Sequence, residues 1–219
     1  MLKTEELLDL TKTIAAPLFE GKHYPWEVLA DISDFIIELG KTLPEKEFEM
    51  RGENVWVPRD AKVFESAYIG GPCIIDHGAQ VRHCAFIRGS AIVGKNAVVG
   101  NSTEIKNSVL FDNVQAPHYN YIGDSILGYK SHMGAGSITS NVKSDKTLVV
   151  IKSPEGNIET KRKKVGAILG DHVEIGCNSV LNPGTVLGRG ASVYPTSCVR
   201  GVIPQNGIYK DKDNIVIRK

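Results

Sequence analysis

No stretch of the chain reaches the roughly twenty consecutive apolar residues a membrane-crossing helix requires, and the opening Met1-Leu-Lys-Thr-Glu-Glu lacks the pattern of a secretory leader. An excess of one charge is missing too. The 26 Lys and Arg stand against 25 Asp and Glu, a net charge of +1, so neither nucleic acid nor a membrane is expected as a partner. Cysteine pairing is absent: Cys73, Cys84, Cys177 and Cys198 show no Cys-x-x-Cys spacing. That excludes a zinc ribbon or a disulfide framework and points to a reduced, cytoplasmic setting. Aromatics are scarce at 7%, whereas glycine is plentiful with 22 residues. That balance suits a repeat protein better than a packed globule.

What the chain does contain is a six-residue rhythm. Val57, Val63, Ile69, Ile75, Val81, Ile87, Val93, Val99 and Ile105 recur at every sixth position. Four residues after each stands a small or compact one: Ala61, Ala67, Cys73, Ala79, Ala85, Ala91, Ala97, Thr103 and Val109. A second run takes in Leu169, Ile175, Leu181, Leu187, Val193 and Val199. Such a period marks a parallel β-helix. Each hexad is a short strand plus a corner; the aliphatic points into a narrow prism and three hexads close one triangular coil. The pattern resembles the hexapeptide-repeat families, which implies a left-handed coil. The expected fold is therefore all-β: a single-stranded left-handed parallel β-helix over residues 51–205.

Two additions flank or interrupt the repeat. Residues 1–50 read as a helical cap. Thr4 begins a first helix bearing Leu7, Leu10 and Ile14, and Pro25 begins a second that stops at Gly40. Residues 141–164 read as an inserted β-hairpin turning at Ser153-Pro-Glu-Gly and ending in the basic string Lys161-Arg-Lys-Lys. Residues 206–219 form a C-terminal tail.

Eighteen residues separate Arg88 from Lys106, so an 18-residue coil stacks them about one strand spacing apart. Stacked like charges repel mildly, and an anion between them, a phosphate for instance, would reverse that. After Ile105 the rhythm falters: Phe111 and then Pro117 take the next aliphatic places, and the register slips by two residues before Leu127. The faltering segment, Gln115-Ala-Pro-His-Tyr-Asn-Tyr-Ile-Gly-Asp124, is expected to aim His118 and Tyr121 outward, as bulges do beside active sites. Histidine is the obvious side-chain type for a general base near neutral pH. The bare backbone of Gly134-Ala-Gly136, just beyond it, would let a ligand approach closely.

Three stretches carry a family resemblance: Val99-Gly-Asn-Ser-Thr-Glu-Ile-Lys-Asn-Ser, Ala116-Pro-His-Tyr-Asn-Tyr-Ile-Gly-Asp-Ser and Met133-Gly-Ala-Gly-Ser-Ile-Thr-Ser-Asn. Over about residues 55–205 the chain resembles the acetyltransferase half of bifunctional N-acetylglucosamine-1-phosphate uridylyltransferases. It is also similar to archaeal-type sugar-phosphate enzymes that share Arg162-Lys-Lys-x-Gly-Ala-Ile-x-Gly-Asp171. The resemblance implies an acetyl-CoA-dependent N-acetyltransferase acting on a sugar phosphate such as glucosamine 1-phosphate, with no metal. It implies His118 as general base and Asn141 as support for the reacting groups. Arg88, Lys106, Tyr121 and His132 would contact the sugar phosphate. Gly134, Ala135, Gly136, Lys146, Gly166, Ala167 and Thr185 would line the cofactor groove. It further implies a homotrimer, with Lys210, Lys212 and Arg218 of the tail near a neighbouring chain. His132 replaces the asparagine usual in relatives, and Lys146 lies one residue early relative to their cofactor-contacting lysine. A nucleotidyltransferase domain with its Gly-rich start is missing from the sequence, so nucleotidyl transfer by this chain alone is not expected.

Two other readings compete. One is a non-catalytic hexapeptide-repeat protein that serves as a binding or assembly module, docking through its helical segment. The other is a zinc carbonic anhydrase. The latter fails on spacing, because His77 and His83 lie six apart and therefore on adjacent faces of one coil.

Overall fold

The structure is a computed structural model that describes residues 2–218. It shows the hexad aliphatics of the middle coils fully buried, from Ile75 through Val81, Ile87, Val93 and Val99 to Ile105. Fully burying one such side chain contributes about 1.5–3 kcal/mol. Successive coils pair in parallel and lay these side chains above one another. Ile75, Val93, Leu110, Leu127, Leu169, Leu187 and Ile203 form one inward column. The strands make three flat sheets of nine, nine and seven strands. The first face includes Cys73–Ile75, Ala91–Val93 and Ser108–Leu110; the second includes Val98–Asn101, Gln115–His118 and His132–Met133. The third includes Phe86–Ile87, Glu104–Lys106 and Tyr121–Gly123. This nearly all-β parallel solenoid is consistent with the expected left-handed β-helix.

The change of rhythm is real, but only one of its two steps lies between Phe111 and Leu127, where the sequence pattern puts both. Pairing partners differ by eighteen positions in Ile75↔Val93 and by seventeen in Val93↔Leu110 and Leu110↔Leu127. Leu110 and Ala116, not Phe111 and Pro117, therefore point into the prism. One residue is lost at Lys106–Asn107–Ser108 and one at Gly123–Asp124–Ser125, both at the corner from the third face to the first. Phe111 is buried for another reason: it packs edge-on against Phe19, ring centroids 5.7 Å apart. Tyr119, with φ +52°, fills an ordinary left-handed corner position shared with Cys84, Ser102, Gly136, Asn178 and Thr196 in other coils. Around His118 the coil is regular.

Residues 2–44 cover a flank of the prism and do not sit across its end as a cap. Ile74, Ile92, Val109, Ile126, Ile168 and Val186 are the outward residues of the first face, and all are fully buried. The N-terminal segment accounts for this. Leu7 O accepts from Asp171 N at 3.0 Å, Lys12 O accepts from Asp112 N at 3.0 Å, and Leu29 O accepts from Asn107 Nδ2 at 3.1 Å. The segment thus descends the first face coil by coil. Its helices are shorter than the apolar spacing predicts: Thr4–Leu7 (α1) is a single turn, and Pro25–Ala30 is a 3-10 helix preceding Ile32–Gly40 (α2). At Gly40 an added Cβ would stand 2.4 Å from the Trp56 ring, so the close approach of α2 to the first coil requires glycine.

The expected hairpin forms from Val150–Ser153 and Gly156–Glu159. It lies back against the solenoid: a Cβ on Gly184 would meet Val149 at 2.8 Å, and one on Gly201 would meet Lys152 O at 2.9 Å. Among the described residues no helix is long and apolar enough to cross a membrane.

Candidate active site

Arg88 and Lys106 do stand side by side, because Phe86 and Ile87 pair with Glu104 and Ile105. Their repulsion, however, is relieved from within the chain. Arg88 Nη1 donates to Glu104 Oε1 at 2.8 Å, and that bond raises the guanidinium pKa. Lys106 Nζ lies 3.3 Å from Asp124 Oδ2. An external anion is not needed to hold the two cations together.

Asp124, which the sequence reading passed over, is the hub of the site. It occupies a shortened corner with φ +49° and is 3% exposed. Its Oδ1 accepts from Asn107 Nδ2 at 2.8 Å, and its Oδ2 accepts from both Lys106 Nζ and Asn141 Nδ2. Asn141 Nδ2 also lies 3.3 Å from the Tyr121 hydroxyl. Burial raises the pKa of that phenol, which keeps it a neutral donor. One buried carboxylate therefore orients an ammonium and an amide directly and a phenol through the amide, all on the third face. The available sequence signal was register: Asn107 and Asp124 are the two side chains that tolerate a left-handed corner, each at a coil shortened by one residue.

His118 closes the second-face strand at the next corner. Its side chain is exposed, and among the described residues the imidazole makes no hydrogen bond or ion pair. Its backbone is held firmly: the N–H donates to Asn120 Oδ1 at 3.2 Å, and the carbonyl accepts from Gly136 N at 3.0 Å. Buried Asn120 anchors that turn by donating to Gly134 O at 2.8 Å. His118 and Tyr121 thus flank one rigid corner, His118 at the end of one face and Tyr121 at the start of the next.

The remaining predicted residues scatter. His132 stands on the second face, its Nδ1 2.8 Å from Glu174 Oε2, apart from the third-face network. Gly134 and Gly136 are required by the coil above them: a Cβ on Gly134 would lie 2.5 Å from Ile175 O, and Gly136 has φ +71°. Ala135 lies between them on the same corner, partly exposed. Gly166 N donates to Asp124 O at 2.7 Å, which ties the end of the insertion to the hub. Ala167 and Thr185 are fully buried, facing the prism interior, with Thr185 Oγ1 donating to Asn182 O at 2.7 Å. Their side chains cannot line a groove, because the small position of each hexad faces inward. Lys146 is exposed on a turn of the insertion.

Two basic residues not singled out from the sequence lie at the corner from the third face to the first, where the insertion leaves the prism. Lys152 and Arg200, with Lys143, line a cleft of about 140 Å³ floored by Pro183 and Gly184. Among the described residues neither Lys152 nor Arg200 has a carboxylate partner. Lys152 comes from the hairpin and Arg200 from the coil behind it, so only the fold brings them together.

Residues 69–188, more than half of the chain, match the family model described as the GMPPB C-terminal domain. The chain belongs to this family. As a GMPPB C-terminal domain it is 33% identical over 112 residues to the bifunctional protein GlmU of Methanococcus maripaludis strain C5, covering 51% of this chain and 27% of that protein. It is 31% identical over 103 residues to a bifunctional sugar-1-phosphate nucleotidylyltransferase/acetyltransferase of Sulfurisphaera tokodaii, covering 47% and 26%. The aligned stretch is thus only about a quarter of the length of these curated relatives. Among solved structures, a UDP-N-acetylglucosamine acyltransferase of Francisella novicida aligns with TM-score 0.47 and 14% identity over 72% of this chain and 63% of that one.

Proposed function

We propose that this GMPPB C-terminal domain is an acyl-CoA-dependent acyltransferase of the hexapeptide type, acetylating the amine of a hexosamine phosphate such as glucosamine 1-phosphate. The observation that carries the reading is the third-face network of Lys106, Tyr121 and Asn141 organised by buried Asp124, with the unpartnered His118 imidazole on the adjoining corner. All five residues stand in the three stretches whose resemblance to sugar-phosphate acetyltransferases is described above. Lys106 and Arg88 would meet the phosphate, while Tyr121 and Asn141 would bind the sugar hydroxyls. The substrate amine attacks the thioester carbonyl carbon as His118 takes its proton. The tetrahedral intermediate then collapses and expels the CoA thiolate. The Ala135 N–H, between the engaged N–H groups of Gly134 and Gly136 and one coil from His118, would donate to the oxyanion. The cleft of Lys143, Lys152 and Arg200 fits the donor's phosphates, being cationic and set at the third-to-first corner, the same edge of the prism as Asp124 and Asn141.

The resemblance implies a homotrimer, and the same reading needs a subunit boundary at the site. His132 sits on the second face and Tyr121 on the third, so the two would share one site only across a subunit boundary. The test is thiol release from acetyl-CoA over a panel of hexosamine 1-phosphates. At least one acceptor is expected to turn over, and Arg200→Ala to raise the KM for acetyl-CoA about tenfold with the acceptor KM unchanged. Absence of turnover above the His118→Ala background with every acceptor would refute the assignment. A binding or assembly module is the second reading. The exposed edge-to-face pair of Tyr68 and Phe86 on the third face, centroids 5.5 Å apart, favours it.

A further inference from the structure

A cavity of about 290 Å³ lies between the N-terminal segment and the corner that joins the first face to the second, away from the third-face site. Asp76 and Asp112 line it together with Thr11, Thr13 and the apolar wall of Leu43 and Phe48. Asp76 is 1% exposed. Its Oδ1 accepts from His77 N at 2.7 Å, but its Oδ2, also buried, has no donor among the described residues.

The same corner shows what such a carboxylate ordinarily finds. Higher up, Asp171 Oδ1 accepts from Tyr129 N and its Oδ2 from Asp9 N, both at 2.8 Å, the second donor coming from the N-terminal segment. At Asp76 no comparable backbone donor reaches Oδ2, and a cavity stands in its place. The His77 ring, also at the cavity, is taken up by Glu47 and Asp60 at 3.3 and 3.0 Å. The Lys95 ammonium is exposed and makes no ion pair with either carboxylate, although its backbone N–H donates to Asp112 Oδ1 at 3.0 Å. Burial raises the pKa of both carboxyls, the charge of Asp76 adds to the effect on Asp112, and the Lys95 charge offsets only part of it.

We propose that this cavity binds a small ligand carrying a protonated primary amine, with Asp76 Oδ2 as its principal acceptor. A buried carboxylate with an unpartnered oxygen, beside a second, half-buried carboxylate in the same cavity, calls for a positively charged donor. Among the described residues no group of three His, Cys, Asp or Glu side chains could hold a metal ion. An ammonium brings three N–H donors, enough for Asp76, Asp112 and a threonine hydroxyl, and its carbon body lies against Leu43 and Phe48. This site does not depend on the proposed acetyl transfer.

The test uses the full chain and ethanolamine, followed by saturation-transfer NMR and thermal melting. Choline, a cation without N–H, and ethylene glycol, a neutral hydroxyl donor, are the controls. Ethanolamine should raise the melting temperature by roughly 3–6 °C at tenfold its dissociation constant. Asp76→Asn and Asp112→Asn should each weaken it tenfold or more, His118→Ala should leave it unchanged, and neither control should bind comparably. The proposal is overturned if ethanolamine gives no signal at tens of millimolar, if ethylene glycol or choline binds as well, or if the folded Asp variants bind like wild type. Should Asp76→Asn fail to fold, Asp112→Asn decides.

Discussion

Two corners of the prism follow different rules. The corner from the second face to the third repeats regularly from Cys84 onward: a left-handed residue stands at Cys84, Ser102, Tyr119, Gly136, Asn178 and Thr196. The corner from the third face to the first is where the coil length changes, where the hairpin is inserted, and where Lys106, Asp124 and Asn141 meet. A regular corner is satisfied by its neighbouring coils and has only an outward position to offer a functional group, which His118 occupies. An irregular corner turns a side chain back on the coil beside it, which is how Asp124 comes to hold two functional residues. The regular corner is thus suited to presenting a base, and the irregular one to building a binding network.

That division predicts a descending series of effects. His118→Ala should lower kcat by about 10²–10⁴-fold while leaving the melting temperature and acetyl-CoA binding unchanged. A matching loss of stability would mean that the regular corner is not merely a platform. Next, the covered and bare faces should separate on truncation. Ile92→Ala, beneath the N-terminal segment, should cost about 2–5 kcal/mol in denaturant unfolding, whereas exposed Phe86→Ala should cost under about 1 kcal/mol. Equal costs would show that the segment does not seal the first face.

Asp124→Asn sharpens the comparison at the irregular corner. It keeps the shape and removes the charge that Lys106 faces, so acceptor KM should rise by about 10-fold while CoA binding holds. A loss in kcat alone would instead place Asp124 near the transferred proton. The smallest effect should come from the left-handed corner itself. Tyr119→Gly should be neutral or stabilising by up to ~1 kcal/mol, since glycine adopts φ +52° without steric cost. Gly136→Ala, in the next coil, should destabilise, because its Cβ would stand 2.2 Å from Asn178 Oδ1.

Much of this molecule is legible along the chain. The hexad aliphatics, the hairpin at Ser153–Gly156 and the end of α2 at Gly40 all follow from local pattern. The two shortened coils were misread because Phe111 looks like the next inward aliphatic, when it belongs to an outer contact with Phe19. The flank covered by residues 2–44 also left a trace: aliphatics are doubled on the first face in coil after coil, as in Ile74-Ile75, Ile92-Val93 and Ile168-Leu169. A strand buried on both faces loses alternation. Of the candidate site, the stacking of Arg88 beside Lys106 was legible in the 18-residue spacing, whereas the links of Tyr121 and Asn141 to Asp124 appear only through their bonds.

By itself the sequence determined the coil, its three faces and the residues that turn inward, because a six-residue period leaves an aliphatic side chain no other place to avoid water. Tertiary structure decided what crosses between distant segments. Asn107 bridges Asp124 to Leu29, Asp171 binds Asp9, and Lys152 is brought beside Arg200. These partners are far apart in sequence, and each depends on which coil the chain happens to pass. No local pattern encodes that; only the completed packing does.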